Sequence, residues 1–389
     1  MASSRIAAFR AFRAVVLSLL LLFATGCAGS DANAGDGAET ASAASDSQPA
    51  PTETPAPTSA PEAASDADPA ADTDPAADTD PDIDAAPEPT AEPSPEPTVP
   101  PVFPRTVETA LGPVEIPVAP QRVVVLDQSM LDVAFTLELQ VVGYTTFSDP
   151  NGPLPELYGE AAETFGADAV WMGDLFAPNL ELIAAAQPDL ILTSVVRHEN
   201  IAGELAQIAP TVMSESAGAG WKDSIRLGAA ASGREDLAEE VLVAYEARAA
   251  AVGAAINEQY DSPTISVVRF VDVIRLYQPN SFSGVVLGDA GLARPPSQQD
   301  PDEFIRVISE EELDLADGDV LVYATFPNED VEAGVEQLLG SPLWDTLGAV
   351  SSGNVYAVSD DRWMSGVGFF GAHAILDDLG AIFDLEPTE

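Results

Sequence analysis

Few side chains in this sequence are equipped for more than solvating a surface or filling a core. Arg197 and His198 stand together just after the apolar run 190–193. In an α/β lobe the carboxyl edge of the strands is where clefts form, so a guanidinium there can donate to the anionic oxygens of a ligand. His198 is the one other ready donor in that loop. Arg269, Tyr277, Trp221 and Trp363 each fall near a strand end or in a linking segment, and Tyr144 and Phe147 follow another strand of the first half. Together they offer polar donors and an aromatic wall, which hold a ligand more readily than they transform one. Each also has a structural alternative. Tryptophan and tyrosine pack, and Arg269 or Arg275 can neutralise a neighbouring carboxylate.

Signs of catalysis are weak. There is no Gly-x-Ser-x-Gly elbow, no phosphate loop and no cysteine placed as a nucleophile. Gly366-Val367-Gly368-Phe369-Phe370-Gly371 matches the dinucleotide fingerprint in form, but 18 residues follow it, too few for the rest of the unit. It is better understood as a glycine-rich lead-in to the last helix. His198 and His373 are far apart, which argues against a zinc or manganese site. No enzyme activity, resident metal or cofactor is expected.

Cys27 is the sole cysteine, and its chemistry is legible. Arg5, Arg10 and Arg13 precede a short apolar core over 14–23, and Ala24-Thr25-Gly26 presents small residues directly before the thiol. A run of about ten apolar residues is too short to span a bilayer, so export, cleavage and lipidation at Cys27 are expected, with residues 1–27 as the signal. Two or three acyl chains suffice for stable anchoring. The membrane is thus met through the lipid alone, on its extracytoplasmic face.

Charge bounds the partners. The chain has 389 residues, 64 acids, 15 bases and a formal net charge of -49, with Lys222 its only lysine. No nucleic-acid partner is expected, because phosphate contacts need clustered Lys and Arg. Residues 28–101 are an acidic Pro/Ala-rich tract, with near-repeats such as Asp72-Thr73-Asp74-Pro75, in which Ile83 and Val99 are almost the only larger apolar side chains. Such a stretch cannot offset its ordering entropy and is expected to be a disordered spacer with a root-mean-square span of roughly 45–50 Å.

About 290 residues remain for a core, enough for one large or two medium lobes. From residue 102 short apolar runs alternate with helical patterns. Strands are expected at 123–126, 141–144, 169–172, 190–193 and 211–213, with helices at 130–139, 180–186 and 199–208. Over 234–260 Leu237, Val241, Tyr245, Val252 and Ile256 fall on one helical stripe, and Asp261-Ser262-Pro263 ends it. A second series follows at 264–270, 274–277, 320–323 and 355–358, closing on a helix over 369–383. The expected fold is α/β: two Rossmann-like lobes with parallel sheets, 102–233 and 261–389, joined by one long helix, 234–260, with a ligand cleft between the lobes.

Several phrases carry a family resemblance. Pro120-Gln121-Arg122-Val123-Val124-Val125-Leu126, Gln187-Pro188-Asp189-Leu190-Ile191-Leu192, Gly291-Leu292-Ala293-Arg294-Pro295 and Ser352-Gly353-Asn354-Val355-Tyr356 occur in an order and spacing that resemble the substrate-binding lipoproteins of ABC importers for iron-siderophores, with related cobalamin and haem binders. The resemblance implies a monomer that captures a ferric siderophore and presents it to an ABC permease with its ATPase. It also implies docking through one carboxylate on each lobe: Glu311 in the second, Glu199 or Glu204 in the first. Arg197, Trp363, Arg269, Tyr277, His198, Trp221 and Tyr144 are then the expected ligand contacts. The subgroup likeness and the acidic surface favour a hydroxamate chelate. Haem or cobalamin binding is the alternative within the family, and a surface adhesion or structural lipoprotein the alternative outside it.

Overall fold

The computed structural model describes residues 102–145, 156–215 and 218–386; Cys27, the 28–101 tract and Phe147 lie outside them. Both lobes fall in one unit spanning Glu92–Glu389. The first lobe opens with an antiparallel hairpin, β1 (Arg105–Thr109) and β2 (Gly112–Ile116). There follow β3 (Val123–Val125), α1 (Gln128–Thr136), β4 (Val141–Tyr144), α2 (Gly159–Phe165) and β5 (Val170–Trp171). A short hairpin of β6 (Gly173–Asp174) and β7 (Ala177–Pro178) precedes α3 (Leu180–Ala185), β8 (Leu190–Ser194), α4 (Val195–His198), α5 (Ala202–Leu205) and β9 (Thr211–Ser214). The main sheet is parallel, in the order β5-β4-β3-β8-β9. Its central strands β3 and β8 are buried throughout, which is why they read as unbroken apolar runs.

Over the helix expected at 199–208 the chain forms only a tight turn at Glu199–Ile201 and the short α5, directly after α4. Gly203 and the β-branched pair Val195-Val196 are poor helix formers, so no long helix propagates there.

Helix α6 (Trp221–Ser232) leads into the strut α7 (Glu235–Tyr260), whose 26 residues give a rod of roughly 39 Å. Its buried stripe is Ala238, Leu242, Tyr245, Ala249, Val252, Gly253 and Ile256, while the expected Leu237 and Val241 are only half-buried. The stripe turns toward Gly253 because α8 (Phe282–Asp289) presses on it: a Cβ at Gly253 would lie 1.5 Å from the carbonyl oxygen of Ala290. Asp261, at φ 57°, caps the strut in the left-handed conformation.

The second lobe contains β10 (Ile265–Phe270), β11 (Ile274–Tyr277), α8, β12 (Ile305–Ile308), β13 (Val320–Thr325), α9 (Glu329–Leu339), α10 (Gly348–Ser352), β14 (Val355–Val358) and α11 (Phe369–Ile382). Its sheet runs β12-β11-β10-β13-β14. The expected parallel pairing holds for β10, β13 and β14, whereas β11 and β12 add antiparallel strands at one side. Only Val271, Asp272 and Val273 separate β10 from β11, far too few for a parallel crossover.

The lobes share more than the strut. One continuous core cluster contains Val125 and Leu131 of the first lobe, Tyr245 of α7, and Val267, Phe282 and Ile375 of the second. Asp132, buried in α1, accepts the backbone N–H groups of Phe369 at 2.6 Å and Phe370 at 3.1 Å, capping α11 of the opposite lobe. Gly368, at φ 148°, permits that approach, since a Cβ there would meet the Asp132 carboxylate at 2.2 Å. Lys222 of α6 makes a second tie, bonding Asp289 of α8 at 3.0 Å and Glu246 of α7 at 3.3 Å.

Candidate ligand cleft

Between the lobes lies a cleft of about 1020 Å³. The first lobe contributes Asp127, Ser129, Phe176 and Arg197. The second contributes the 271–274 turn, Arg269, Arg275, Tyr277 and Phe282, together with Phe304, Phe326 and Met364. Phenylalanines make much of the wall, and arginines supply its donors.

Two of the cleft arginines, one from each lobe, are built the same way. Arg197 projects from α4 with its Nε 3.3 Å from Asp127 Oδ2 and its guanidinium 5.3 Å from the centre of the Phe176 ring. Asp127 caps α1 and also accepts from Ser129 N at 2.8 Å, Ser129 Oγ at 2.6 Å and Ser194 Oγ at 2.8 Å. Arg269 meets Asp360 through Nε at 2.6 Å and Nη2 at 2.7 Å, donates from Nη1 to Tyr277 at 3.2 Å, and lies 5.6 Å from the centre of the Phe326 ring. Each guanidinium is thus fixed by a buried carboxylate and flanked by an aromatic ring. Both carboxylates follow a strand closely, Asp127 after β3 and Asp360 after β14, so the same strand-edge rule that selects Arg197 would have found them.

Arg275 also lines the cleft, 3.6 Å from Asp272, and its buried Nε has no acceptor among the described residues. All three guanidinia therefore have a carboxylate partner. Glu310 and Asp330 line the wall as well. The cleft has no net positive charge.

Not every expected contact reaches this wall. Trp363 is fully buried in the turn before α11, its indole N–H donating to Asp378 at 2.8 Å; its neighbours Met364 and Ser365 face the cleft instead. Trp221 packs edge-on against Tyr245 at 4.9 Å and stands behind Phe282, which does line the cleft. Tyr144 is buried at the end of β4, away from the lining. Trp221 begins α6, Tyr144 ends β4 and Trp363 sits in the turn before α11, and each ring is buried in the shared core.

His198 is a positioning residue. It is buried, its Nδ1 is 2.6 Å from the Thr193 hydroxyl and its Nε2 is 2.8 Å from the carbonyl oxygen of Leu175. A carbonyl can only accept, so Nε2 carries the proton and Nδ1 accepts from Thr193. Burial lowers the His198 pKa. The bond to Leu175 fixes the β6–β7 hairpin that carries Phe176, and so the ring beside Arg197.

The expected docking glutamates are exposed. Glu199 is two residues from Arg197 and Glu311 adjoins Glu310, but neither glutamate itself lines the cleft. Glu204 lies further along, in α5. Ser309 and Glu312 form a reciprocal cap on the turn that bears Glu311. Among the described residues no three His, Cys, Asp or Glu side chains gather to hold a metal ion, and no helix is long and apolar enough to cross a membrane.

Two α/β lobes on a long helical strut, with a donor-lined cleft between them, define a two-lobed binding-protein fold. The periplasmic binding protein family model matches residues 123–361, and the chain belongs to that family. It is 33% identical over 292 residues to the "Probable siderophore-binding lipoprotein YfiY" of Bacillus subtilis (strain 168), covering 72% of this chain and 87% of that protein. It is 28% identical over 269 residues to the achromobactin-binding periplasmic protein of Dickeya dadantii (strain 3937), covering 68% and 86%. Among solved structures, Staphylococcus aureus SirA complexed with staphyloferrin B superposes with a TM-score of 0.65 at 29% identity, covering 72% of this chain and 99% of that one.

Proposed function

We propose that this protein is a receptor that captures a ferric siderophore in the cleft between its lobes and delivers it to an ABC permease. The observation that carries this reading is the matched pair of cleft arginines, Arg197 and Arg269, each fixed by a buried carboxylate and flanked by a phenylalanine. Iron in such a chelate is already coordinated, so the protein needs donors for the chelate's oxygens and rings for its bulk, not metal ligands. The two curated relatives named above are binding proteins by name, which supports binding without turnover.

The electrostatics of the cleft favour a hydroxamate chelate, which is uncharged or nearly so. Each guanidinium is offset by its own carboxylate, Glu310 and Asp330 add negative charge, and the chain as a whole stands at -49. A strongly anionic chelate would meet a repulsive field. Arg197, Arg269 and Tyr277 are the contacts of this reading. Glu199 and Glu311 are its docking carboxylates, which set orientation and encounter rate more than affinity. Lipidated Cys27 would hold the monomer at the extracytoplasmic face, with the 28–101 tract as spacer.

Quenching of intrinsic fluorescence by ferrioxamine, ferric citrate, ferric enterobactin, haem and cobalamin tests this function. Saturable quenching by a ferric siderophore is expected. If all the ferric chelates leave the emission unchanged while haem or cobalamin quenches it, siderophore capture is refuted.

A further inference from the structure

The mouth of the cleft is apolar in a way that its interior is not. Phe176 is 64% exposed, Phe304 48%, Phe326 41% and Val273 38%, and all four line the same opening from both lobes. Two of these rings have work within the protein, since Phe176 and Phe326 flank Arg197 and Arg269. Phe304 touches Tyr277 by one edge, at 5.6 Å between ring centres, and leaves half of its surface in water. Val273 stands at the tip of the β10–β11 turn. Large apolar side chains grouped around one opening mark a surface that an apolar partner covers.

The interior sets the other half of the requirement. Its arginines present donors, yet each is offset by a carboxylate, so the occupant's oxygens are recognised by hydrogen bonds without a demand for net negative charge. An uncharged chelate with oxygens at its centre and hydrocarbon at its periphery satisfies both zones.

We infer that the ligand is an uncharged ferric trihydroxamate whose hydroxamate groups are joined by linkers made mostly of methylene chains, and that Phe176, Val273, Phe304 and Phe326 read those chains. This rests on the siderophore reading above and names the class within it. A trihydroxamate of equal charge carried on a peptide ring would turn more amide N–H and C=O groups toward phenyl and isopropyl surfaces, which cannot replace the hydrogen bonds those amides make with water. Burying methylene chains against the same surfaces is favourable at about 0.8 kcal/mol per CH₂.

The experiment is isothermal titration of the full chain with two uncharged probes: ferrioxamine E, whose ring sets pentamethylene chains between a few amides, and ferrichrome, whose hydroxamates hang from an amide-rich peptide ring. Ferrioxamine E should bind about tenfold more tightly or better, a difference of about 1.4 kcal/mol. Phe304→Ser, at a half-exposed position that the core does not need, should reduce that ratio several-fold. Equal binding of the two probes, tighter binding of ferrichrome, or a ratio unmoved by Phe304→Ser would overturn the inference. If neither uncharged probe binds but ferric citrate or ferric enterobactin does, linker recognition falls while siderophore capture stands. If no ferric chelate binds, the function proposed above falls with it.

Discussion

Arg269 and Asp360 are locked by two parallel hydrogen bonds, Nε to Oδ1 at 2.6 Å and Nη2 to Oδ2 at 2.7 Å, on the second-lobe wall of the cleft. The equivalent pair on the first lobe, Arg197 and Asp127, is joined by one bond at 3.3 Å. This difference separates binding from stability.

Arg197→Ala leaves Asp127 with three other donors, two from Ser129 and one from Ser194. Stability should change by less than about 1 kcal/mol. Affinity for the bound chelate should fall by about 1.5–3 kcal/mol, the range for a hydrogen bond made by a charged group such as the guanidinium. Titration calorimetry beside urea denaturation reads both quantities, and wild-type affinity would remove Arg197 from the site.

Arg269→Ala strands Asp360, which would retain only the Ser365 hydroxyl at 2.9 Å. Stability should fall by about 3 kcal/mol, because a buried carboxylate loses its cation. Here both the denaturation midpoint and the chelate affinity should drop. A stable variant with unchanged affinity would contradict the role given to the pair.

The tie between lobes should be costly to cut. Asp132→Ala leaves the first N–H groups of α11 without an acceptor, at about 2–3 kcal/mol. Burial pushes the Asp132 carboxyl up to about 8 in the folded protein, against the pull of the Phe369 and Phe370 N–H groups. A carboxyl whose folded pKa is raised contributes stability that is present below its unfolded pKa, near 4, and lost as pH rises through about 8. The gap between wild type and Asp132→Ala should therefore be widest near pH 4 and narrow toward pH 8 in urea denaturation. A gap that widens as pH rises would show that the carboxylate is ionised throughout.

His373 works in the opposite direction. Burial, with Arg248 beside it, pushes its pKa down to about 4. Its Nδ1 lies 2.8 Å from Arg248 Nη1 and must accept, so the ring is neutral when folded. A base held below its unfolded pKa contributes stability above about pH 6.5 that is lost as pH falls toward 4. In His373→Gln the decline in unfolding midpoint between pH 7 and pH 4.5 should be shallower than in wild type. An identical slope would mean that His373 is protonated in the fold.

Much of the architecture was visible in the sequence because buried parallel strands are continuous apolar runs and the strut is a long amphipathic helix. Strand direction was not, since hydropathy is the same for β11 whether it runs with β10 or against it. Arg197 and Arg269 were found by their position at strand ends. Asp127 and Asp360 were hidden among 64 acids, although each follows a strand in the same way. Trp363, Trp221 and His198 misled because a large or polar side chain near a strand end can turn inward, and only tertiary packing decides which way. The exposed rings Phe176, Phe304 and Phe326 carried no signal, as isolated phenylalanines in loops have no periodicity to read.

The proposed function separates docking from capture. Glu311→Arg, at an exposed position outside the cleft lining, should lower uptake of iron chelate by cells while leaving the calorimetric affinity unchanged. Loss of affinity would instead place Glu311 inside the site.

The most direct check on the whole account is the position of iron in crystals of the protein soaked with whichever ferric chelate binds, located by anomalous scattering at the iron edge. A single peak in the interlobe cleft, flanked by Arg197 and Arg269, is predicted. A peak elsewhere on the surface, with the cleft empty at saturating chelate, would contradict it.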